Sequence, residues 1–227
     1  VFELEQHLRP RALADLGAEV IKIEPPESGD ETRSFPPIRD GESHYFLSVN
    51  RGKKSIVVDL KAAEGMALVK DLAAKCDIVV ENYRPGVMAR LGLGYEVLSA
   101  INPALIYCSI SGFGQSGPMK DNPSLDIVLQ AMSGAFSLNG EPGRLPTKLG
   151  LPMGDLAGGI NGPIAILGAL FERTRTGKGR FIDISLVDGL QGMLGYFAQL
   201  AFFTGKDPEP TGSQHQYLVP YGTFAAA

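Results

Sequence analysis

The stretch Leu151-Pro152-Met153-Gly154-Asp155-Leu156-Ala157-Gly158-Gly159 sets one carboxylate among glycines, just before an apolar segment at residues 164–171. A carboxylate at the mouth of a helix, with little bulk around it, is open to a substrate. It can serve as base, nucleophile or anchor. The local sequence on its own favours an alternative, because aspartate is a preferred helix N-cap.

Two further segments offer close backbone approach to a ligand. Glu81-Asn82-Tyr83-Arg84-Pro85-Gly86 follows one apolar run, and Ser111-Gly112-Phe113-Gly114-Gln115-Ser116-Gly117-Pro118 follows another. Each can also be ordinary turn chemistry. Neither matches the dinucleotide fingerprint or the Walker A pattern, so NAD and ATP are not the first ligands to consider. Lys53 and Lys54 could neutralise an anion or simply be solvated. Arg90 could do the same or pair with a surface acid.

These groups need a frame. Residues 12–17 read as the end of a helix stopped by Gly17, and residues 18–23 as a strand. Residues 24–41 form a long proline-rich loop of the kind that often carries function. Strands are expected at 55–58, 77–80, 105–109 and 180–185. Helices are expected at 61–74, 95–101, 123–134 and 164–174, and one long helix at 186–203 ended by Thr204-Gly205. If the 164–174 helix starts as early as Asp155, Pro163 must kink it. The alternation predicts an α/β fold with a mostly parallel sheet flanked by helices. Ligands then bind at the carboxyl ends of the strands, where both glycine-rich segments fall.

Composition narrows the classes. A chain of 227 residues with 44% hydrophobic and 20% charged residues suits a globular protein. The net charge of −4 gives no reason to expect nucleic acid. Cys76 and Cys108 read as buried thiols in a reducing compartment. They and His7, His44 and His215 fit no metal spacing, so no metal is expected. The apolar run at 190–203 is too short to span a bilayer and reads as a helix in the core or a subunit interface. A cytosolic protein with no membrane association is expected.

Taken in order, several segments resemble the class III CoA-transferase family, which includes formyl-CoA and carnitine CoA-transferases and, as a divergent branch, the α-methylacyl-CoA racemases. The resemblance runs through Leu13-Ala14-Asp15-Leu16-Gly17-Ala18-Glu19-Val20-Ile21-Lys22-Ile23-Glu24, Asn50-Arg51-Gly52-Lys53-Lys54-Ser55 and Val80-Glu81-Asn82-Tyr83-Arg84-Pro85-Gly86. It continues through Gly154-Asp155 and Thr176-Gly177-Lys178-Gly179. It implies a Rossmann-like large domain, here 1–203, with 204–227 beginning a linker to a smaller domain, and an interlocked homodimer.

The resemblance also implies a function. CoA moves from an acyl-CoA to a carboxylic acid acceptor through a mixed anhydride and an aspartyl-CoA thioester on Asp155. CoA is then a substrate, with no tightly bound cofactor. Asn82, Tyr83, Arg90 and Leu91 would lie beside CoA, Arg33, Lys53 and Lys54 near its phosphates, and Ser111, Gly112 and Phe113 near the thioester. The racemases pair the aspartate with a histidine, and Asp126 stands at that position, which favours the transferase. A non-catalytic CoA-binding subunit is the third reading. Two departures stand out. Residues 5–10 lack the family's usual first strand and its Gly-Pro turn, and the later glycine-rich loop would lie beyond Ala227. A shortened chain is therefore expected.

Overall fold

The computed structural model describes residues 1–4 and 11–226. In chain order the elements are β1 (Phe2–Leu4), α1 (Arg11–Asp15), β2 (Val20–Glu24), β3 (Ile38–Arg39), β4 (Glu42–Ser43), α2 (His44–Asn50), β5 (Lys53–Val57) and α3 (Ala63–Ala73). There follow β6 (Ile78–Glu81), α4 (Val87–Arg90), α5 (Tyr95–Ile101), β7 (Ile106–Ser111), α6 (Asp126–Met132) and α7 (Ala135–Leu138). Last come α8 (Met153–Thr176), β8 (Arg180–Ser185), α9 (Leu186–Gly192) and α10 (Phe197–Thr204). Compact units form from residues 1–123 with 158–185, and from 124–157 with 186–227.

The expected parallel sheet is present in the first unit. Six strands lie in the order β5-β2-β1-β6-β7-β8, and every neighbouring pair is parallel. From β1 the chain builds outward to one side through β2 and β5, then returns to the other side of β1 with β6. Sheets of this kind bind ligands at such a reversal, at the carboxyl ends of the strands. Phe2, Leu4, Leu93, Leu98, Leu105 and Tyr107 lie in the core below it.

Three sequence expectations are corrected, and one helix falls outside every expected element. The family's first strand is not missing: β1 lies at Phe2–Leu4, ahead of residues 5–10, which are outside the described residues. Three residues are too few to show a period, and the buried Glu3 interrupts the apolar pattern. The helix expected at 164–174 begins at Met153 and contains Pro163. Proline there leaves the Gly159 carbonyl without its helical donor. The long helix expected at 186–203 is two helices, because Gly195 takes a left-handed φ of 59° between them. α9 buries Leu186 and Leu190, but α10 buries nothing and exposes Phe202 and Phe203. The apolar run is therefore not a core helix. Finally, α2 emerges just after the proline-rich loop, capped by the Ser43 hydroxyl, which accepts from the Tyr45 and Phe46 amides at 3.2 and 3.4 Å.

Among the described residues α8 is the one helix long and apolar enough to cross a membrane. Its inner face is occupied: a Cβ on Gly162 would sit 3.1 Å from Ile110, and Ile166 and Ala169 are buried. After it, Gly179 passes so close to β7 that a Cβ would sit 1.9 Å from the Leu105 carbonyl oxygen.

The centre of the sheet holds four charges away from water. Glu3 of β1 and Lys22 of β2 stand opposite each other in register, 3.5 Å apart. The Lys22 ammonium also lies 2.8 Å from Asp30, and Lys53 lies 2.7 Å from Glu3. Asn50 bridges them, accepting from Lys53 at 3.0 Å and donating to Asp30 at 3.4 Å. Burial pulls the Lys53 pKa down against the attraction of Glu3. Removing one member of such a set strands an uncompensated charge. Lys22→Met is expected to cost about 3–5 kcal/mol, measured by urea unfolding.

Candidate functional site

The carboxyl edge of the sheet gathers most of the residues singled out in the sequence. Arg33 lies in a 3-10 turn (Glu31–Ser34) after β2, where the Asp30 carboxylate caps the Thr32 amide at 2.8 Å. Its guanidinium grips Glu24 through Nε and Nη2, both at 2.8 Å, and covers the Phe46 ring at 3.8 Å. This hydrogen bonding holds the Glu24 pKa down to about 2. The Arg33 side chain remains 42% exposed, so it can still meet a ligand anion.

Asn82 and Tyr83 follow β6, and Ser111 ends β7. The Asn82 side-chain amide donates to the Ile110 carbonyl, which ties the loop after β6 to the end of β7. The Tyr83 amide donates to Glu81 at 2.8 Å, and both Tyr83 and Leu91 pack partly into the core. Arg90 is exposed at the end of α4. Ser111 and Gly112 are buried and Phe113 is half-buried. The Ser111 hydroxyl is buried and has no hydrogen-bond partner among the described residues.

The two lysines part company. Both lie at the amino-terminal start of β5, opposite Val20 and Ile21 of β2, rather than at the carboxyl edge. The Lys53 side chain is only 2% exposed and its ammonium is held by Glu3. Lys54 is 72% exposed and pairs with Glu19 at 2.5 Å. Sequence could not separate them, because adjacent strand residues point to opposite faces and only the sheet says which face is covered.

Asp155 lies in the second unit, in the first turn of α8, and is half-buried. The helix starts two residues before it, so Asp155 is not the N-cap. That task belongs to Asp126, at the start of α6. Its Oδ1 accepts from the Gly154 amide at 2.8 Å and the Asp155 amide at 3.4 Å. Its Oδ2 accepts from Gln130 at 2.7 Å. The wholly buried Gln130 also donates to the Leu151 carbonyl at 3.0 Å and accepts from the Leu149 amide at 2.9 Å. Gly154 permits this approach, since a Cβ there would sit 3.0 Å from Asp126 Oδ1. The positive end of α8 favours a negative charge at Asp155. A carboxylate so placed can attack an electrophilic carbonyl.

Sequence reasoning passed over Gln130 and underrated Asp126. Their only signal was the Asp126/Gln130 spacing of four, which puts both side chains on one helix face. The cysteines are inert: burial pushes Cys108 up to about 12 and Cys76 up to about 11.

Known proteins with this pattern are numerous. The chain is 46% identical over 215 residues to the acetyl-CoA:oxalate CoA-transferase of Acetobacter aceti, covering 94% of this chain and 55% of that protein. It is 47% identical over 213 residues to the succinyl-CoA:glutarate CoA-transferase of Mus musculus, covering 93% of this chain and 49% of that protein. A crystal structure of a CAIB/BAIF family protein from Brucella suis superposes with a TM-score of 0.93 at 43% identity, over 99% of this chain and 61% of that one. The chain thus spans about half the length of the curated relatives it matches. Its residues 8–227 match the family described as CoA-transferase family III, and with the Rossmann-type strand order and the aspartate at the start of α8 the chain belongs to that family.

Proposed function

We propose that the protein transfers CoA from an acyl-CoA thioester to a carboxylic acid, with Asp155 as the covalent carrier. The observation that carries this reading is the division of labour at the start of α8. Asp126 accepts from the Gly154 and Asp155 amides. The Asp155 carboxylate stands in the first turn of α8, where the helix field favours a negative charge.

The Asp155 carboxylate attacks the thioester carbonyl and expels CoA thiolate, leaving an acyl-aspartyl anhydride. The thiolate attacks the aspartyl carbonyl, releasing the donor acid and forming aspartyl-CoA. The acceptor carboxylate then attacks that thioester, giving a second anhydride and free thiolate. Attack of the thiolate on the acceptor acyl carbonyl yields the new acyl-CoA and restores Asp155. Both Asp126 oxygens are engaged in hydrogen bonds, which disfavours a second base of the kind a racemase needs.

Binding of CoA falls to the carboxyl edge of the sheet. Arg33 and Arg90 are the cations for its phosphates, since Lys53 is occupied by Glu3. Asn82, Tyr83 and Leu91 flank the CoA moiety, and the loop of Ser111, Gly112 and Phe113 faces the thioester. The names of the relatives support a short dicarboxylic acid as acceptor. Exposed Ile160, Ile164, Leu167 and Phe171 recur at helical spacing on α8, which supports burial against a second copy. The two free thiols support a cytosolic setting.

Ser111 supplies one test. Its buried hydroxyl has hydrogen-bonding capacity left over at the strand end where ligands bind. Ser111→Ala is expected to leave unfolding stability unchanged or slightly raised, yet weaken CoA binding by about 3–10-fold in calorimetry. Unchanged CoA affinity would remove the hydroxyl from the site.

Asp155 supplies the second. Incubation with an acyl-CoA and hydroxylamine is expected to convert Asp155 to its hydroxamate, detected by peptide mass mapping. Asp155→Asn is expected to lose transfer by roughly 10⁴-fold with little change in stability. A set of short acyl-CoA donors that leaves no adduct on Asp155 would overturn the covalent reading. Asp126 supplies the third. Asp126→Ala is expected to cost about 1–2 kcal/mol of stability through the lost cap, with Asp126→Asn costing less.

A further inference from the structure

The two glycine-rich loops at the carboxyl edge are joined through a buried carboxyl group that the proposed chemistry leaves unused. Glu81 ends β6 and is 4% exposed. Its Oε2 accepts the Tyr83 amide at 2.8 Å, and the Ser109 hydroxyl donates to its Oε1. Ser109 Oγ accepts from the Gln115 side chain at 2.8 Å, and the Gln115 amide reaches both Asp183 oxygens at 3.0 Å. Gly114 makes room for this with a left-handed φ of 79°, and a Cβ there would lie 3.4 Å from Asp183 Oδ1. One hydrogen-bonded line thus crosses from the loop after β6, through β7, to the loop after β7 and on to β8.

Among the described residues, no positively charged group is found against Glu81. Asp183 faces it from β8, and Tyr107 and Cys108 lie beside it on β7. Glu96 of α5 shares with it the lining of a cavity of about 250 Å³, to which α4 contributes Met88 and Ala89. Burial, with repulsion from Asp183 and against the Ser109 and Tyr83 hydrogen bonds, raises the Glu81 pKa to about 7.

We propose that Glu81 is a positioning residue that closes the 82–86 and 111–118 loops as one body, so that a single proton on its carboxyl group sets how firmly both are held. The sign follows from burial. The closed loops keep the carboxyl dry and protonated, while opening hydrates it and restores its ordinary acidity. Closure is fully supported below the ordinary value near 4.5, and that support is lost as pH rises through about 7. The loop coupling stands on these contacts alone. Its consequence, a CoA affinity that weakens over the same range, rests on the CoA-transfer reading above.

Amide hydrogen exchange on the full chain tests the coupling without ligand. After correction for intrinsic exchange rates, protection at Tyr83 and Gln115 is expected to fall together, by roughly tenfold or more, between pH 5.5 and 7.5. Amides of β2 serve as the internal reference and are expected to hold. Glu81→Gln keeps a neutral group whose oxygen accepts from Tyr83 and which, like the protonated carboxyl, turns a donor toward Ser109 Oγ in place of accepting from it, and is expected to abolish the pH dependence in both loops. Loss at Tyr83 without loss at Gln115, equal loss at β2, or an unchanged pH profile in Glu81→Gln would each overturn the proposal. Calorimetry with CoA then compares wild type with Glu81→Gln at each pH, because the CoA phosphate monoester titrates in the same range and only the difference is informative. If wild type binds no CoA while the exchange pattern holds, the transfer reading fails and the loop coupling survives.

Discussion

Two lysines and two carboxylates are held out of water in the middle of a parallel sheet, and the arrangement of the first unit depends on their balance. Glu3, Lys22, Asp30 and Lys53 come from β1, β2, the loop after β2 and the start of β5. Buried charges of this kind are tolerated only when each is paired and hydrogen-bonded. Pairing therefore acts as a register constraint. A slip of one residue between β1 and β2 would turn Lys22 to the other face and leave Glu3 and Asp30 short of a partner. The same network anchors Asp30, which caps the turn that presents Arg33. A structural ion network and a candidate ligand contact are thus linked over a few residues.

The site proper is built by separating tasks that a single residue would otherwise combine. A carboxylate at a helix start is ordinarily occupied with capping. Here Asp126 and the buried Gln130 organise the start of α8 from a different helix, and the missing side chain of Gly154 lets them approach. The helix field there favours a negative charge at Asp155. At the carboxyl edge of the sheet the same principle recurs. Glu24 orients Arg33, Glu81 and Ser109 hold the loop backbones, and Ser111 is left with hydrogen-bonding capacity to spare.

Legibility followed the physics of each element. The strands at Ile78–Glu81, Ile106–Ser111 and Arg180–Ser185 were visible because continuous apolar or alternating runs of that length have few other uses. Strand β1 was invisible because it is three residues long with a charge at its centre. The split between α9 and α10 escaped because an isolated glycine in an apolar run does not announce a left-handed φ. Asp155, the proposed carrier, stands out in the sequence by its setting among glycines. The reason for Gly154 was not legible, since it is an approach by Asp126 from 28 residues earlier in the chain.

Patterns along the chain were enough for the α/β class, the parallel order of strands and helices, and the family. Those depend on periodicity and on short ordered motifs, which are properties of neighbours along the chain. Folding made Lys53 an internal counter-ion and left Lys54 exposed, gave the start of α8 its cap from Asp126, and set Glu81 between two loops. Each of these is a contact between residues far apart in sequence. Whether a charge is a ligand contact, a cap or a structural partner is set by what folding brings against it and by how much water folding takes away.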